Sequence, residues 1–132
     1  KDRYHLEHLS VSSGTTTIPT ATVVMKIAGK PQKRAGFGDG PVDAALNTIK
    51  EMAGVECRLI SYVVKAITGG TDAQGEVSVG VEQNGQQVTG RGAHTDIVVA
   101  SAMAFINGLN RLEARAGSVS PMTPVRAALG GV

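Results

Sequence analysis

The chain has 132 residues, a formal net charge of +2, and 42% hydrophobic but only 3% aromatic residues, enough for one core packed by Val, Ile, Leu, Ala and Met. So small a charge, with no Lys/Arg cluster or aromatic platform, argues against a nucleic-acid partner. Cys57 is the single cysteine, so no intrachain disulfide can form and a structural zinc site would lack sulfur ligands.

Nothing resembles a signal peptide, and no apolar run approaches the roughly 18–20 residues of a membrane helix. A cytoplasmic protein without a membrane partner is expected. The start at Lys1 without Met is compatible with a piece of a longer chain.

Tyr4 to Ser13 reads as a first strand. Its alternation is imperfect, with Leu6 on one face and Leu9 and Val11 on the other, which calls for a bulge or a twist. Ser13 to Pro19 is a turn-rich connection. Thr20 to Ile27 alternates cleanly, with Ala21, Val23, Met25 and Ile27 on one face, as a half-buried strand does. Gly29-Lys30-Pro31 makes a turn, and Gln32 to Phe37 is a short polar edge strand.

The Gly-rich stretch Gly36-Phe37-Gly38-Asp39-Gly40 then leads into Pro41, a residue suited to the first position of a helix. Val42, Ala45, Leu46, Ile49, Met52 and Ala53 follow at helical spacing, and Gly54 is a plausible stop. A glycine loop feeding a helix start offers free N–H groups and partial positive charge to a small anion. It lacks the Lys-Ser/Thr ending of a nucleotide P-loop and the glycine order of a dinucleotide site.

A second round begins at Glu56. From there to Ile67, apolar residues occupy both faces, and two-sided burial predicts a central strand. Thr68 to Asp72 is a loop, Glu76 to Glu82 alternates through Val77, Val79 and Val81, and Asn84-Gly85 signals a hairpin back into Gln86–Arg91. After Gly90-Arg91-Gly92, Thr95 or Asp96 can cap a last helix running to about Ala116. On it, Ile97, Ala100, Ser101, Ala104 and Gly108 make a small-residue strip that another element could approach closely. Residues 1–116 form the expected domain and residues 117–132 a tail with little structure of its own.

The halves share one plan, three strands and a helix, with Gly38-Asp39-Gly40 and Gly90-Arg91-Gly92 as apparent counterparts. The fold expected is therefore α+β, two pseudo-symmetric βββα units whose antiparallel sheets pack with helices, and whose apolar sheet faces pair together or with a second chain. His5 and His8 fall on opposite faces of a regular strand, which disfavours a metal pair, and His94 reads as an exposed loop residue or a ligand aid. No nucleophile–base constellation or paired carboxylates appear, so neither catalytic nor metal-binding residues are expected. Tyr62 interrupts an aliphatic strand, either as core packing or as the wall of a small-molecule pocket.

Four segments together resemble a known family. They are Ser13-Gly14-Thr15 with Pro19 to Val23, Gly38-Asp39-Gly40-Pro41-Val42-Asp43-Ala44-Ala45, Asp72 to Val77, and Gly90-Arg91-Gly92 followed by Thr95 to Ala102 and Asn107 to Arg111. In this order, over about residues 4 to 113, they resemble the C-terminal regulatory domain of 2-isopropylmalate synthase, the LeuA allosteric/dimerisation domain. The resemblance implies a homodimer that binds leucine near its interface for feedback inhibition. It also implies a TIM-barrel domain of the same polypeptide, with a divalent metal, that condenses acetyl-CoA with 3-methyl-2-oxobutanoate. No cofactor is expected in this piece itself. The related citramalate synthases carry a similar domain that senses isoleucine, and a dimerisation scaffold without effector binding is a further alternative.

Carried over by position, the effector pocket falls on Gly38, Asp39, Gly40, Pro41, Val42 and Asp43, then on Leu59, Tyr62, Ala66, Ala73 and Ala93. Leu59 and Tyr62 are three apart, so a regular strand would aim them at opposite faces. Either a bulge intervenes or Leu59 acts from the connection before the strand. The chemistry suits an amino acid: N–H donors for its carboxylate, Asp39, Asp43, Asp96 or carbonyls for its ammonium, and Val42, Leu59, Tyr62 and Ala66 for its side chain.

Overall fold

The turns set the strand pairings. Ala28-Gly29 (φ 52° and 83°) and Asn84-Gly85 (φ 51° and 81°) are left-handed at both positions, the geometry that closes two-residue hairpins. The computed structural model describes residues 2–67 and 73–119. Its elements are β1 (Tyr4–Gly14), β2 (Thr17–Ile27), β3 (Lys30–Phe37), α1 (Pro41–Ala53), β4 (Arg58–Ile67), β5 (Gln74–Gln83), β6 (Gln86–His94) and α2 (Ile97–Val119). The strands make two three-stranded antiparallel sheets, β1-β2-β3 and β4-β5-β6. The α+β architecture of two βββα units is the one expected.

Helix α1 packs on β2 and β3, and α2 packs on β5 and β6, reaches β1 and lies against α1. Val23 and Met25 of β2, Ile49 of α1, Val77, Val79 and Val81 of β5 and Leu109 of α2 are fully buried in one cluster, so the two units share a core. The small-residue strip of α2 meets glycines. A Cβ on Gly90 would overlap the Ala104 carbonyl and lie 2.5 Å from the Gly108 nitrogen, and one on Gly92 would lie 2.5 Å from the Ala100 carbonyl oxygen. Backbone therefore packs on backbone there, an approach that only glycine permits.

The imperfect alternation of β1 is a bulge. The register shifts between Leu6 and His8, so Leu6 pairs with Met25 and Leu9 with Val23, both on the core face. The same shift places His5 opposite Lys26 and His8 opposite Val24, on one shared outer face rather than the two faces of a regular strand. Among the described residues no group of three or more His, Cys, Asp or Glu is placed to hold a metal ion.

Three other expectations need correction. First, β4 is an edge strand whose residues are all exposed, and β5 is the central one. Its two-sided apolar pattern marks surface that the described residues leave exposed. Second, the strand expected to end at Arg91 runs on to His94, so Gly90-Arg91-Gly92 lies wholly inside β6 instead of following it. Third, the repeat is therefore offset differently. Gly36 pairs with Ala21 as Gly92 pairs with Val77, 56 positions on in each case, so Gly38-Asp39-Gly40 corresponds to His94-Thr95-Asp96.

Element limits shift modestly. Thr17 to Pro19 belong to β2, Lys30 and Pro31 to β3, and α2 continues to Val119. Pro19, without an N–H for the ladder, falls where the β1–β2 register is irregular between Ser12 and Gly14. The expected loop at 68–72 and the tail from 120 to 132 lie outside the described residues.

Candidate functional site

The first group of expected site residues forms the entry to α1. The Gly38 N–H donates to the Pro19 carbonyl (3.2 Å), tying the loop to β2. A Cβ on Gly38 would overlap the Ala44 nitrogen and lie 2.7 Å from the Ala44 Cα, so glycine is required for the helix to sit this close. Gly40 is different. It is the N-cap residue, extended at φ −159° and ψ 177°, and a Cβ there would meet nothing within 4 Å.

No side chain caps this helix. Pro41 at the first position has no N–H to offer, which leaves the first-turn N–H groups of Val42 and Asp43 without a donor-satisfying side chain at the cap. Asp43 instead turns outward, its Oδ2 accepting from the Asp39 N–H (2.7 Å) and, at 3.4 Å, from Asn47 Nδ2. The loop is thus closed on itself beside an open helix start.

The start of α2 is arranged the other way. Asp96 Oδ1 accepts from the Val98 N–H (2.8 Å), and the Asp96 N–H donates to His94 Nδ1 (2.9 Å). Asp96, not Thr95, is the cap, and its carboxylate already occupies the place that an incoming anion would take. Of the two helix starts only that of α1 is left uncapped.

The second group lies on β4. A register shift between Leu59 and Ser61 puts Leu59 opposite Val81 and Tyr62 opposite Val79, on the same core-side face, so the bulge alternative holds. Ala66, opposite Gly75, shares that face. Tyr62 is 39% exposed, yet its hydroxyl lies 2.7 Å from Ser101 Oγ on α2. Ser101 spends its one proton on the Ile97 carbonyl (2.7 Å), which makes Tyr62 the donor of the pair. Among the described residues this side-chain bond ties β4 to a helix, the ion pair of Arg58 with Glu82 staying within the sheet.

One cavity, of about 220 Å³, joins the two groups: Asp43 and Leu46 of α1 and Leu59 of β4 line it together with Phe105 of α2. Cys57 borders it too. Burial pushes the Cys57 thiol above its ordinary value, with the Lys50 ammonium drawing it back and the Glu56 carboxylate adding to the rise. Ala93 is not brought to this side, because its pairing with Glu76 sets it on the other face of the sheet. Ala73 is exposed just before β5. Ser101, Leu46 and Phe105 were not singled out as site residues from the sequence. Ser101 carried a usable signal, a polar group one turn after Ile97 on an otherwise apolar strip.

The family model described as the LeuA allosteric (dimerisation) domain matches residues 1–113. The chain belongs to this LeuA domain family. A 2-isopropylmalate synthase from Syntrophus aciditrophicus is 52% identical over 113 residues, covering 86% of this chain and 22% of that protein. One from Nitratidesulfovibrio vulgaris is 53% identical over 112 residues, 84% of this chain and 22% of the relative. A third, from Parasynechococcus marenigrum, is 45% identical over 128 residues, 96% of this chain and 24% of the relative. This LeuA domain thus spans about a fifth of the length of the curated relatives it matches. No helix among its described residues is long and apolar enough to cross a membrane.

Proposed function

We propose that this LeuA domain is the feedback-regulatory part of a cytoplasmic 2-isopropylmalate synthase, binding leucine and pairing two copies of the chain. The observation that carries the sensing role is the uncapped start of α1. The leucine carboxylate takes the N–H groups of Val42 and Asp43, favoured by the positive end of the helix. Asp39 or Asp43 receives the ammonium, and Leu59 and Tyr62 supply apolar wall. Gly40 leaves the approach open because nothing projects from it. The condensation of acetyl-CoA with 3-methyl-2-oxobutanoate, and its divalent metal, belong in this proposal to a barrel domain outside this chain.

Pairing is supported by β4. Leu59 (43% exposed), Tyr62 and Val64 (47% exposed) form an apolar strip that, among the described residues, α2 meets through the Tyr62 hydroxyl and leaves otherwise exposed, and exposed strips of this kind mark association surfaces. Coupling between the effector and the barrel would amount to about 1–3 kcal/mol, the usual range for linked sites.

Calorimetry with leucine and isoleucine, alongside light scattering, tests this reading. Leucine should bind with measurable heat to a dimer, and Gly40→Leu should abolish binding yet leave fold and dimer intact, since the added side chain enters open space. An unaltered melting temperature and no heat with millimolar amounts of either amino acid would leave only a scaffold. Tighter binding of isoleucine would move the assignment to the citramalate synthase type of domain.

A further inference from the structure

The two sheets meet over α2 without pairing. β1 and β6 are both edge strands, yet α2 is tied to each of them. Asn107 Oδ1 accepts from the Arg91 N–H of β6 (3.0 Å). Asn110 accepts from the Tyr4 N–H of β1 and donates to the Tyr4 carbonyl, both at 2.9 Å. No Cα of β1 lies within 8 Å of a Cα of β6. Paired strands stand about 4.8 Å apart, and a strand set between two neighbours separates them by about 9.6 Å. The facing edges are thus too far apart to pair, while asparagines one helical turn apart hold both to the same stretch of α2.

In this gap lies a cavity of about 560 Å³, bounded by β1 from Tyr4 to Leu9, by Arg91 and by α2. Leu6, Leu9, Val99, Met103 and Ile106 make its apolar wall, and Met103 is 37% exposed. The backbone of β1 faces the same gap. Tyr4, opposite Ile27, sends its N–H and C=O away from β2 to Asn110, and an antiparallel ladder repeats every second residue, so Leu6, opposite Met25, also points its polar groups outward. Among the described residues nothing bonds those Leu6 groups. An apolar groove with an unpaired strand edge along one side is the form that receives an added strand.

The chain after Val119 has the reach and the pattern to fill it. Val119 lies nine residues past Asn110 and 16 past Met103, about 14 Å and 24 Å along the helix. The 13 residues from 120 to 132 span about 43 Å when extended. Gly92 packs on Ala100 and Gly90 on Gly108, so β6 and α2 run antiparallel, and chain doubling back from Val119 runs parallel to β6. Pro121 and Pro124 oppose continuation of the helix. Beyond them Val125, Ala127 and Leu129 alternate with Arg126 and Ala128, the period-two pattern of a strand with one apolar face.

We propose that residues 125–129 of the same chain occupy this groove as a strand added beside β1. Val125, Ala127 and Leu129 turn toward α2 and cover Met103, and the peptide groups between them pair with Leu6. Arg126, the one charged residue among 120–132, then falls on the outer face, where Glu7 stands beside His5. β6, α2 and the added strand become a strand–helix–strand unit, the usual connection between parallel strands.

The test is NMR on the 132-residue chain, reading amide hydrogen exchange and methyl–methyl NOEs. The Leu6 N–H should be protected, and Leu129→Asp should speed its exchange about tenfold or more, while Ala128→Asp, on the opposite face, changes it by less than about twofold. Leu129 and Met103 methyl groups should give NOEs within one chain, established by mixing labelled with unlabelled protein. The proposal is overturned by unaltered Leu6 exchange in Leu129→Asp, by an equal effect of Ala128→Asp, or by the absence of Leu129–Met103 NOEs. It is equally overturned by NOEs between labelled and unlabelled chains, which would give the groove to a second copy. Neither substitution touches the buried core, and the NOEs are read in the unaltered chain, so a folding defect in a variant leaves the decision to them.

Discussion

The two βββα units are built on one plan and finished differently. In the first, β1 is covered at its start: α2 reaches across to it, Asn110 satisfies the Tyr4 backbone, and the Tyr4 side chain is only 3% exposed. In the second, the corresponding strand β4 is open along its length. Helix length makes the difference. α2 has 23 residues and serves both units, whereas α1 has 13, stops at Gly54 in a left-handed cap (φ 67°), and makes no contact with β4. The helix starts diverge in the same way, Asp96 closing one and Gly40 leaving its counterpart open. The pseudo-symmetric scaffold thus leaves an exposed edge strand in one unit and an uncapped helix in the other.

The largest expected effect comes from the contact that brings α2 onto its sheet. Gly90→Val forces a side chain into the backbone of Ala104 and Gly108 and should cost about 3 kcal/mol or more, read by urea denaturation. The equivalent residue of the first unit, Arg34, faces no such constraint and is exposed, so Arg34→Val should change stability little.

Asn110→Ala comes next, because it strands two buried backbone groups of Tyr4. A loss of about 2 kcal/mol is expected. Hydrogen exchange should show faster opening of β1, making the first unit resemble the second. If β1 stays protected, the coverage by α2 rests on packing rather than on the amide.

The helix starts allow a finer comparison. Asp96→Ala should destabilise by about 1 kcal/mol, and Gly40→Ser should stabilise by a few tenths of a kcal/mol through a new cap. The same serine should weaken leucine binding, since its oxygen competes for the N–H groups proposed for the carboxylate.

The smallest effect concerns Cys57, in the connection between the units. Its thiol titrates above the ordinary value in the folded chain, so above the ordinary thiol range the unfolded chain holds fewer protons than the folded one. The associated stability is present below that range and declines as pH rises through it. Cys57→Ser should flatten this part of a stability–pH profile measured by denaturant unfolding.

Much of the fold was legible in local chemistry. Alternation at Ala21, Val23 and Met25 and at Val77, Val79 and Val81, the Asn84-Gly85 turn and the Pro41 helix start each act within a few residues, so each could be read without a partner in space. The bulge in β1 was legible as a broken alternation. In β4 the apolar pattern was read correctly and placed wrongly, because a two-sided apolar strand looks the same whether a neighbouring strand or another molecule covers it. The repeat was misaligned for a related reason, since glycine spacing resembles a loop until strand register shows which glycine faces which helix.

The sequence by itself determined the elements, their order, the doubled βββα plan and the family, all of which depend on short-range periodicity and on motifs read along the chain. Tertiary structure alone decided which helix start is open, which strand is uncovered, and that Tyr62 donates to Ser101. Those outcomes turn on groups far apart in sequence: Asn110 is set against Tyr4, Tyr62 against Ser101, and Gly90 against Ala104 and Gly108. No local propensity encodes such pairings, because they arise only when the sheets and helices have packed.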